Sequence, residues 1–404
     1  NNAQISFLNP RKYDFNFPLA GNIAVAQQHM VAELAAIAVA ACQLGGNEIP
    51  ENIAKAVTKE EVNETHKAIA QQLNDASAAT VILGNIAQMH PRFSALRALA
   101  DVIAKQTGST LGYLSDGCNA AGAWLAGAVP HRGAAGKTED VVTGKNIAEI
   151  NNEKLAACML VNIEPDTDAA NALGLMATLE AADFVVSVSA YKSASLKKTA
   201  DVMLPAAGFT ETSGTYVNAE GYWQSFKGVL EPKGGARPAW KILRVLGNLT
   251  GLEGFDYVSS EEVKNEVRSM CESIELSNAV ADAEKVTISK SSSSRSTDMS
   301  RASDVPMYAV DAIVRRAASL QQTVDAQTLC ARINSAEAER LGVTDEQTVT
   351  VKQGDSSAAL VLVIDDSIPD ACVWIPAAVE GNDLLGEAFA AVSIETMSSE
   401  AVGA

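Results

Sequence analysis

A polar, glycine-rich segment from Gly208 to Gly221 holds the densest group of side chains that could bind a ligand. Its hydroxyl, amide and carboxylate groups belong to Glu211, Thr212, Ser213, Thr215, Asn218 and Glu220. The segment follows the apolar run 201–205, which predicts a short buried strand that ends at Pro205. Because ligands of open α/β sheets usually lie where strands end, the segment is predicted to face a large ligand or a partner subunit. The alternative is an ordinary hydrogen-bonded surface loop.

The cysteines and histidines do not have the spacing of a metal site. The cysteines stand singly, with no CxxC pair, at positions 42, 118, 158, 271, 330 and 372. The histidines form no HExxH motif and are His29, His66, His90 and His131. Zinc sites and iron–sulfur clusters need closely spaced ligands, so we expect no metal in these residues. The cysteines are predicted to be small buried side chains in a reducing compartment.

Charge and hydropathy limit the classes of partner. The formal net charge of −18 would repel a phosphate backbone, which argues against nucleic acid. No run of eighteen apolar residues occurs in the sequence, so direct insertion into a membrane is not expected. A length of 404 residues predicts two or three domains. The chain begins with Asn rather than Met, which predicts a truncated or processed product of a longer protein.

Residues 1–150 are predicted to form a first α/β unit. The predicted elements are helices over 24–44, 59–73 and 93–107 and strands over 79–84 and 110–114. Thr58 and Glu61 have the spacing of a capping box at the start of the second helix. The loop 115–122 follows the last strand and contains Asn119. Its glycine spacing is not GxGxxG, which favours a tight turn before a helix over a nucleotide site.

Residues 151–280 are predicted to form a second α/β unit, which includes the central loop 200–226. The predicted elements are strands over 156–163, 184–189 and 201–205 and helices over 169–181, 237–249 and 259–273. Strands that alternate with helices at this spacing predict a parallel sheet. Asn162 and Glu164 lie at the end of the first of these strands.

The composition changes after residue 280. Residues 281–305 are rich in serine and lysine, without periodicity, and are predicted to be a mobile linker. Residues 306–404 then predict a short helix and a small β-barrel. The elements expected there are a helix over 310–318 and strands over 328–333, 348–353, 358–364 and 372–376.

Several uncommon residues in the central loop resemble a known family. The runs FTETS (209–213), VNAEG (217–221) and QSF (224–226) are similar to the loop of the molybdopterin oxidoreductase superfamily. With ARPAW (236–240) and LGNLTGLEGFD (246–256), the match resembles the C-terminal half of the large iron–sulfur subunit of bacterial respiratory NADH:quinone oxidoreductase, complex I. This resemblance implies two Rossmann-like parallel α/β units and a small C-terminal β-barrel of the double-psi type.

The resemblance also implies where a cofactor would lie. The superfamily usually has a glycine after the strand that ends near Asn162, where the chain approaches a pterin nucleotide. Here Glu164 places a carboxylate near that position, which would disfavour a pyrophosphate unless the side chain is simply solvated. We therefore expect no catalytic, cofactor-binding or metal residues. The candidates for a vestigial site or an interface loop are Asn119, Asn162, Glu164, Glu211, Thr212, Asn218, Glu220 and Gly221.

Three functional hypotheses follow. The first is a cofactor-free scaffold in the peripheral arm of complex I, on the cytoplasmic face of the bacterial inner membrane. It would contact other peripheral-arm subunits, while iron–sulfur clusters in an absent N-terminal half carry electrons from NADH to quinone. The second is a molybdopterin-binding oxidoreductase fragment, which needs Asn119, Asn162, Glu211, Thr212 and Asn218 to converge on one cleft. The third is an independent sugar- or nucleotide-binding α/β protein, whose positively lined cleft a chain of charge −18 is poorly suited to provide.

Overall fold

The structure, a computed structural model, describes residues 3–115, 117–139, 141–151, 153–288 and 299–396. The chain divides into two compact units. Unit 1 contains Asn1–Leu114, Ser277–Val310 and Ser319–Ala404, and unit 2 contains Ser115–Leu276 and Asp311–Ala318. The first division falls at residue 115 and not at the predicted 150. Because the side chain of Asn119 accepts a hydrogen bond from the backbone of Val217, the segment after residue 114 packs with unit 2.

The N-terminal part of unit 1 is built around an alanine-rich helix. Its elements are β1 (Ser6–Asn9), β2 (Gly21–Ala24), α1 (Met30–Leu44), α2 (Glu51–Ala54), α3 (Glu64–Asp75), β3 (Thr80–Leu83), α4 (Asn85–Met89), α5 (Phe93–Thr107) and β4 (Thr110–Tyr113). The small side chains of α1 let α3 and α5 pack closely against it, and their apolar residues share one core. Strands β3 and β4 pair in parallel on either side of the α5 connection. The predicted βαβ unit is therefore present.

The predicted helix over 59–73 begins later than expected. Asn63 caps α3, because its side chain accepts a hydrogen bond from the backbone of His66 at 3.1 Å while the His66 ring accepts one from Asn63. The predicted bond between Thr58 and Glu61 does form, at 2.7 Å, but it belongs to a separate 3-10 turn. Two capping signals within six residues are therefore used by two successive turns.

Unit 2 contains a parallel sheet flanked by helices. Its elements are α6 (Ala120–Leu125), α7 (Ile147–Ile150), β5 (Cys158–Val161), α8 (Pro165–Asp168), α9 (Ala172–Ala181), β6 (Val185–Ser189), α10 (Ala194–Thr199), β7 (Val202–Pro205), β8 (Gly214–Val217), β9 (Trp223–Phe226), α11 (Ala239–Leu249) and α12 (Ser260–Cys271). Strands β5, β6 and β7 pair in parallel in that order. Leu160 and Val185 pack on Leu175, Leu179 and Leu196 of the neighbouring helices. Alternating strands and helices therefore produce the expected parallel sheet.

Two expectations for the central loop were wrong. The segment predicted to be irregular contains an antiparallel hairpin, in which β8 and β9 pair and Tyr216 contacts Phe226 with 4.9 Å between ring centroids. Strand β7 is not fully buried, since Val202 is 39% exposed. The sequence pattern missed the hairpin because its strands have only four residues each and are rich in polar side chains.

The C-terminal part of the chain forms a closed barrel in unit 1. Helix α13 is the exception, since it belongs to unit 2. The elements are β10 (Met299–Ala302), α13 (Ala312–Arg315), β11 (Ala331–Ile333), α14 (Ser335–Leu341), β12 (Thr348–Gln353), β13 (Ser356–Ile364), β14 (Cys372–Trp374) and β15 (Ala391–Thr396). The six strands close in the order β10-β14-β11-β13-β12-β15. The predicted barrel is confirmed, although β10 and β15 were not foreseen.

The prediction of a mobile linker over 281–305 was wrong for the end of that segment. Residues 299–302 form β10, whose four residues are all buried. This strand is held by nonlocal pairing, in parallel with β14 and antiparallel with β15. The serine run 291–294 lies outside the described residues. Helix α13 is shorter than the predicted 310–318 and is capped by Asp311, whose carboxylate accepts hydrogen bonds from two backbone amides.

Among the helices that the structure describes, none is both long enough and apolar enough to cross a membrane.

Candidate functional site

The carboxyl edge of the β5–β6–β7 sheet brings the ends of three strands of unit 2 together. The backbone amide of Asn162 donates to the carbonyl of Val188 at 2.8 Å, and that of Ala206 donates to Ser189 at 3.0 Å. Asn162 has a φ of 52°, a left-handed conformation that asparagine adopts more readily than most side chains. This turn directs the chain away from β5 and into the loop that carries Glu164.

Glu164 is buried at this edge, with 5% of its surface exposed, so the alternative of a solvated carboxylate was wrong. Its Oε2 accepts hydrogen bonds from Arg315 Nη2 and Arg316 Nη1, each at 3.0 Å. Its Oε1 accepts a further hydrogen bond from Arg316 Nη2. The arginines lie at the end of α13, about 150 residues further along the chain but in the same compact unit. Glu164 thus binds two guanidinium groups at once.

Two neighbouring groups complete this arginine–carboxylate cluster, which we define as Glu164, Asp168, Tyr191, Arg315 and Arg316. Arg315 Nη2 also donates to Asp168 Oδ1 at 2.8 Å. The guanidinium carbon of Arg316 lies 4.4 Å from the centroid of the Tyr191 ring, a cation–π contact. Both arginines are therefore neutralised by carboxylates of the same unit, and one also rests on an aromatic face.

The electrostatics of the cluster favour ionised partners. Burial acts to raise the pKa of Glu164, but the hydrogen bonds from Arg316 and Arg315 and their positive charges outweigh it. The pKa of Glu164 consequently lies below its ordinary value of 4.5. The pKa of Arg316 is raised, mainly by its hydrogen bond to Glu164. The cluster is thus an ion-paired network at neutral pH.

The depressed pKa of Glu164 leads to a pH-dependent stability. An ionised carboxylate whose pKa is lower in the folded state stabilises that state above its unfolded pKa, and the contribution is lost as the pH falls through the folded value. We expect the difference in free energy of unfolding between the wild type and Glu164→Gln to be constant near neutral pH and to shrink below pH 4.5. Urea denaturation at a series of pH values measures it. A difference that stays unchanged down to pH 2 would contradict the assignment.

Glu211 and Thr212 lie before strand β8 and help to shape the backbone there. The Oε2 of Glu211 accepts a hydrogen bond from the backbone amide of Gly208 at 3.1 Å. The Thr212 hydroxyl donates to the carbonyl of Ser213 at 3.3 Å. Both side chains are half-buried. Their hydrogen bonds are thus local. This agrees with the alternative interpretation of the segment as an ordinary hydrogen-bonded surface loop.

Asn218, Glu220 and Gly221 form the turn after β8. The Oδ1 of Asn218 accepts hydrogen bonds from the amides of Glu220 at 3.1 Å and Tyr222 at 2.9 Å. Gly221 has a φ of 83°, which a side chain would strain, and a Cβ there would approach Leu276 to 2.6 Å. Glu220 and Tyr222 are exposed. Asn218 therefore holds the turn together, whereas Glu220 is available at its surface.

The predicted site residues do not all converge. Asn119 contacts the end of β8 that precedes Asn218, because its Oδ1 accepts a hydrogen bond from Val217 at 2.8 Å. Glu211 and Thr212 lie at the other end of this four-residue strand, about 13 Å of extended chain away. Asn162, on the β5 loop, has an exposed side chain. The structure brings Asn119 to the Asn218 turn and separates both from Glu211.

Sequence reasoning missed Tyr191, Asp168 and the arginine pair. Asp311 followed by an apolar run and Arg315-Arg316 would predict a short capped helix that ends in two arginines. Nothing local indicates that these arginines pair with Glu164. Their contact is decided by the return of residues 311–318 to unit 2.

No group of three histidine, cysteine or acidic side chains within the described ranges could hold a metal ion. All six cysteines are free thiols, and Cys118 is exposed, contrary to the expectation that the cysteines would be buried.

An open groove of about 420 Å³ lies between α1 and α3, lined by residues such as Leu44, Glu64 and Lys67. None of the predicted site residues lines this groove.

These observations define a mixed α/β protein with a parallel sheet in one unit and a closed six-stranded barrel in the other. The family model for molybdopterin oxidoreductases matches residues 25–249, more than half of the chain. The chain therefore belongs to the molybdopterin oxidoreductase family. In fold, the structure is similar to the acetylene hydratase of Pelobacter acetylenicus, with a TM-score of 0.60. That match has 14% sequence identity and covers 91% of this chain and 70% of the hydratase chain.

Short segments are similar to subunits of NADH-ubiquinone oxidoreductase. Forty-seven residues are 53% identical to the mitochondrial 78 kDa subunit of Candida albicans, a match over 12% of this chain and 6% of that protein. A segment of 81 residues is 36% identical to the 75 kDa subunit of Reclinomonas americana, over 20% of this chain and 12% of that protein. A nitrate reductase of Shewanella frigidimarina is 26% identical over 117 residues, 29% of this chain and 12% of that enzyme. The matched segments thus span a small part of each relative.

The family name implies a molybdopterin group, and the carboxyl edge of the β5–β6–β7 sheet is where such a fold would be expected to bind a ligand. The residues there do not fit an anionic nucleotide. Glu164 is a buried carboxylate, and Asp168 lies beside it on the same arginine. Asp166, whose charge also acts on Arg316 and whose carboxylate accepts a hydrogen bond from Ser195, adds a third carboxylate near the two guanidinium groups, so these five side chains have a formal net charge of −1. A second anion would meet net repulsion.

Proposed function

We propose that this chain is a cofactor-free scaffold part of the large iron–sulfur subunit of a bacterial NADH:quinone oxidoreductase, complex I. In this role it has no chemistry of its own and supports electron transfer through iron–sulfur clusters outside these residues. It would lie in the peripheral arm, at the cytoplasmic face of the inner membrane, and contact other subunits of that arm. The similarity of two segments to the 75 and 78 kDa subunits supports this assignment.

The observation that carries the proposal is the arginine–carboxylate cluster. An anion-binding edge in this fold needs unneutralised donors, but Arg315 and Arg316 already bind Glu164. The separation of Glu211 and Thr212 from Asn218 by the length of β8 further argues against one preformed nucleotide cleft. A scaffold needs neither unneutralised donors nor a nucleotide cleft.

The competing function is a molybdopterin-dependent oxidoreductase, which the similarity to a nitrate reductase favours. Elemental mass spectrometry for molybdenum, tungsten and iron, with fluorescence of oxidised pterin after denaturation, separates the two. The chain should be produced in cells that also load a known molybdenum enzyme, which serves as the positive control. We expect clearly sub-stoichiometric metal and pterin in this chain. Molybdenum and pterin near one per chain would overturn the scaffold proposal.

The turn after β8 tests the assembly part of the proposal. Glu220 and Tyr222 are exposed, and Tyr222 has 64% of its surface accessible. We expect Glu220→Ala with Tyr222→Ala to weaken assembly with other peripheral-arm subunits on native gels, while unfolding changes by less than about 1 kcal/mol. Asn218→Ala is unsuitable, because it removes the acceptor of two backbone hydrogen bonds. The matched control is Val324→Ala, since Val324 is fully exposed on unit 1. Normal assembly of the double variant would exclude this turn as an interface.

A further inference from the structure

We propose that Arg315 and Arg316 form an oxyanion-binding pair whose ligand is built into the chain, with the carboxylate of Glu164 in the place of a phosphate. The inference rests on the proposed cofactor-free role. In it, the internal carboxylate prevents phosphate-bearing ligands from binding at the edge of the sheet. Removal of Glu164 should therefore uncover a site for inorganic phosphate or pyrophosphate.

The geometry around Glu164 supports this assignment. One carboxylate accepts hydrogen bonds from both guanidinium groups, and both of its oxygens are used. Planar guanidinium groups recognise phosphate oxygens through the same paired donors. The bonds hold α13, a helix of four residues, against the loop after β5. Arginines converging on one carboxylate have the arrangement of a small oxyanion site.

The position and exposure of the pair make such a site reachable. Glu164 follows β5, at the carboxyl edge where open parallel sheets bind ligands. The side chain of Arg316 is 37% exposed, whereas that of Arg315 is 12% exposed. An anion could therefore enter from the Arg316 side once the carboxylate is gone. The Tyr191 ring lies against the Arg316 guanidinium group and does not compete for its donors.

Charge explains why the wild-type chain would not bind the same anion. The formal charge of the two arginines is exceeded by one negative charge from the three carboxylates, those of Glu164, Asp166 and Asp168. Without Glu164, two carboxylates remain for two guanidinium groups, and the donors that Glu164 occupied become free. The uncovered site is electrically neutral and rich in donors, so an oxyanion can replace the lost carboxylate.

The test is isothermal titration calorimetry of the purified full chain with inorganic phosphate and with pyrophosphate. We expect Glu164→Ala to bind pyrophosphate with a dissociation constant at least about tenfold lower than that of the wild type. Its thermal midpoint should rise with pyrophosphate concentration, because a ligand of the folded state stabilises it. Glu164→Gln preserves side-chain size and serves as the second variant if Glu164→Ala does not fold. Binding should be lost again when Arg315→Met and Arg316→Met are added.

Glu180→Gln is the matched control, because it also removes one negative charge from unit 2 and breaks a carboxylate pair, that with Lys198 at 2.6 Å. Absence of binding to a folded Glu164 variant would overturn the inference. Equal binding to the wild type or to Glu180→Gln would overturn it as well, since neither uncovers the arginine pair. Metal and pterin analysis decides the proposed function separately: a chain loaded with molybdenum would refute the scaffold even if Glu164→Ala bound pyrophosphate.

Discussion

Replacement of Glu164 by alanine is expected to lower the free energy of unfolding of unit 2 by about 3 kcal/mol, a typical result of breaking a buried ion pair. The loss has two physical sources. The variant leaves Arg315, whose side chain is only 12% exposed, and Arg316 without their shared acceptor. It also releases residues 311–318, which these contacts connect to the loop after β5. A partly buried guanidinium group that loses a carboxylate partner is costly, although Arg315 keeps its bond to Asp168.

Hydrogen exchange measured by mass spectrometry can locate this loss. Peptides from β5, β6 and α13 should exchange faster in Glu164→Ala than in the wild type. The triple variant with Arg315→Met and Arg316→Met should recover part of the stability, because it removes both of the guanidinium groups that lost Glu164 as a partner. Glu180→Gln should have an effect below about 1 kcal/mol, as expected for an exposed ion pair. If Glu164→Ala is no less stable than Glu180→Gln, the cluster does not hold unit 2 together.

Leu362→Ala is expected to destabilise the barrel of unit 1 by about 3 kcal/mol. Leu362 lies in β13 with none of its surface exposed and packs in the barrel core with Ile333 and Val349. Truncation removes buried methyl groups and leaves a cavity that a closed barrel cannot readily collapse, since its strands are hydrogen-bonded all round.

The neighbouring residue supplies the matched control for this prediction. Val361 is on the opposite face of the same strand and is 47% exposed. Val361→Ala should change the free energy of unfolding by less than about 1 kcal/mol, which reflects strand propensity and partial exposure. Guanidinium denaturation of both variants, with hydrogen exchange of barrel peptides, measures the contrast. Equal losses for the two substitutions would show that the face assignment of β13 is wrong.

Local patterns in the sequence predicted the elements with strong periodicity or clear ends. Helix α5 matches the predicted 93–107, because an apolar face recurs along it and Gly108 ends it in a left-handed conformation. The same holds for β12, whose alternating side chains identify the core face. The resemblance of the central loop to molybdopterin oxidoreductases also anticipated the family, which the match over 25–249 confirms.

Nonlocal contacts decided the features that the sequence patterns did not predict. Strand β10 has a polar sequence with no strand pattern of its own, yet pairing with β14 and β15 buries all four of its residues, including Arg301. The hairpin of β8 and β9 was likewise hidden, because its short polar strands are stabilised by each other.

At the candidate site, too, local sequence patterns and nonlocal contacts determined different features. The sequence pattern located Glu164 at the end of a strand, and the resemblance to molybdopterin oxidoreductases implied that a carboxylate there would oppose a pyrophosphate. Whether it was solvated, paired or buried depended on a helix about 150 residues away, which no local pattern connects to it. Hydrophobic periodicity is a property of neighbouring residues, so it can specify strands, helices and their buried faces. Ion pairs between distant segments exist only once the chain has folded, and for that reason the tertiary structure alone revealed that two arginines already occupy the carboxylate of Glu164.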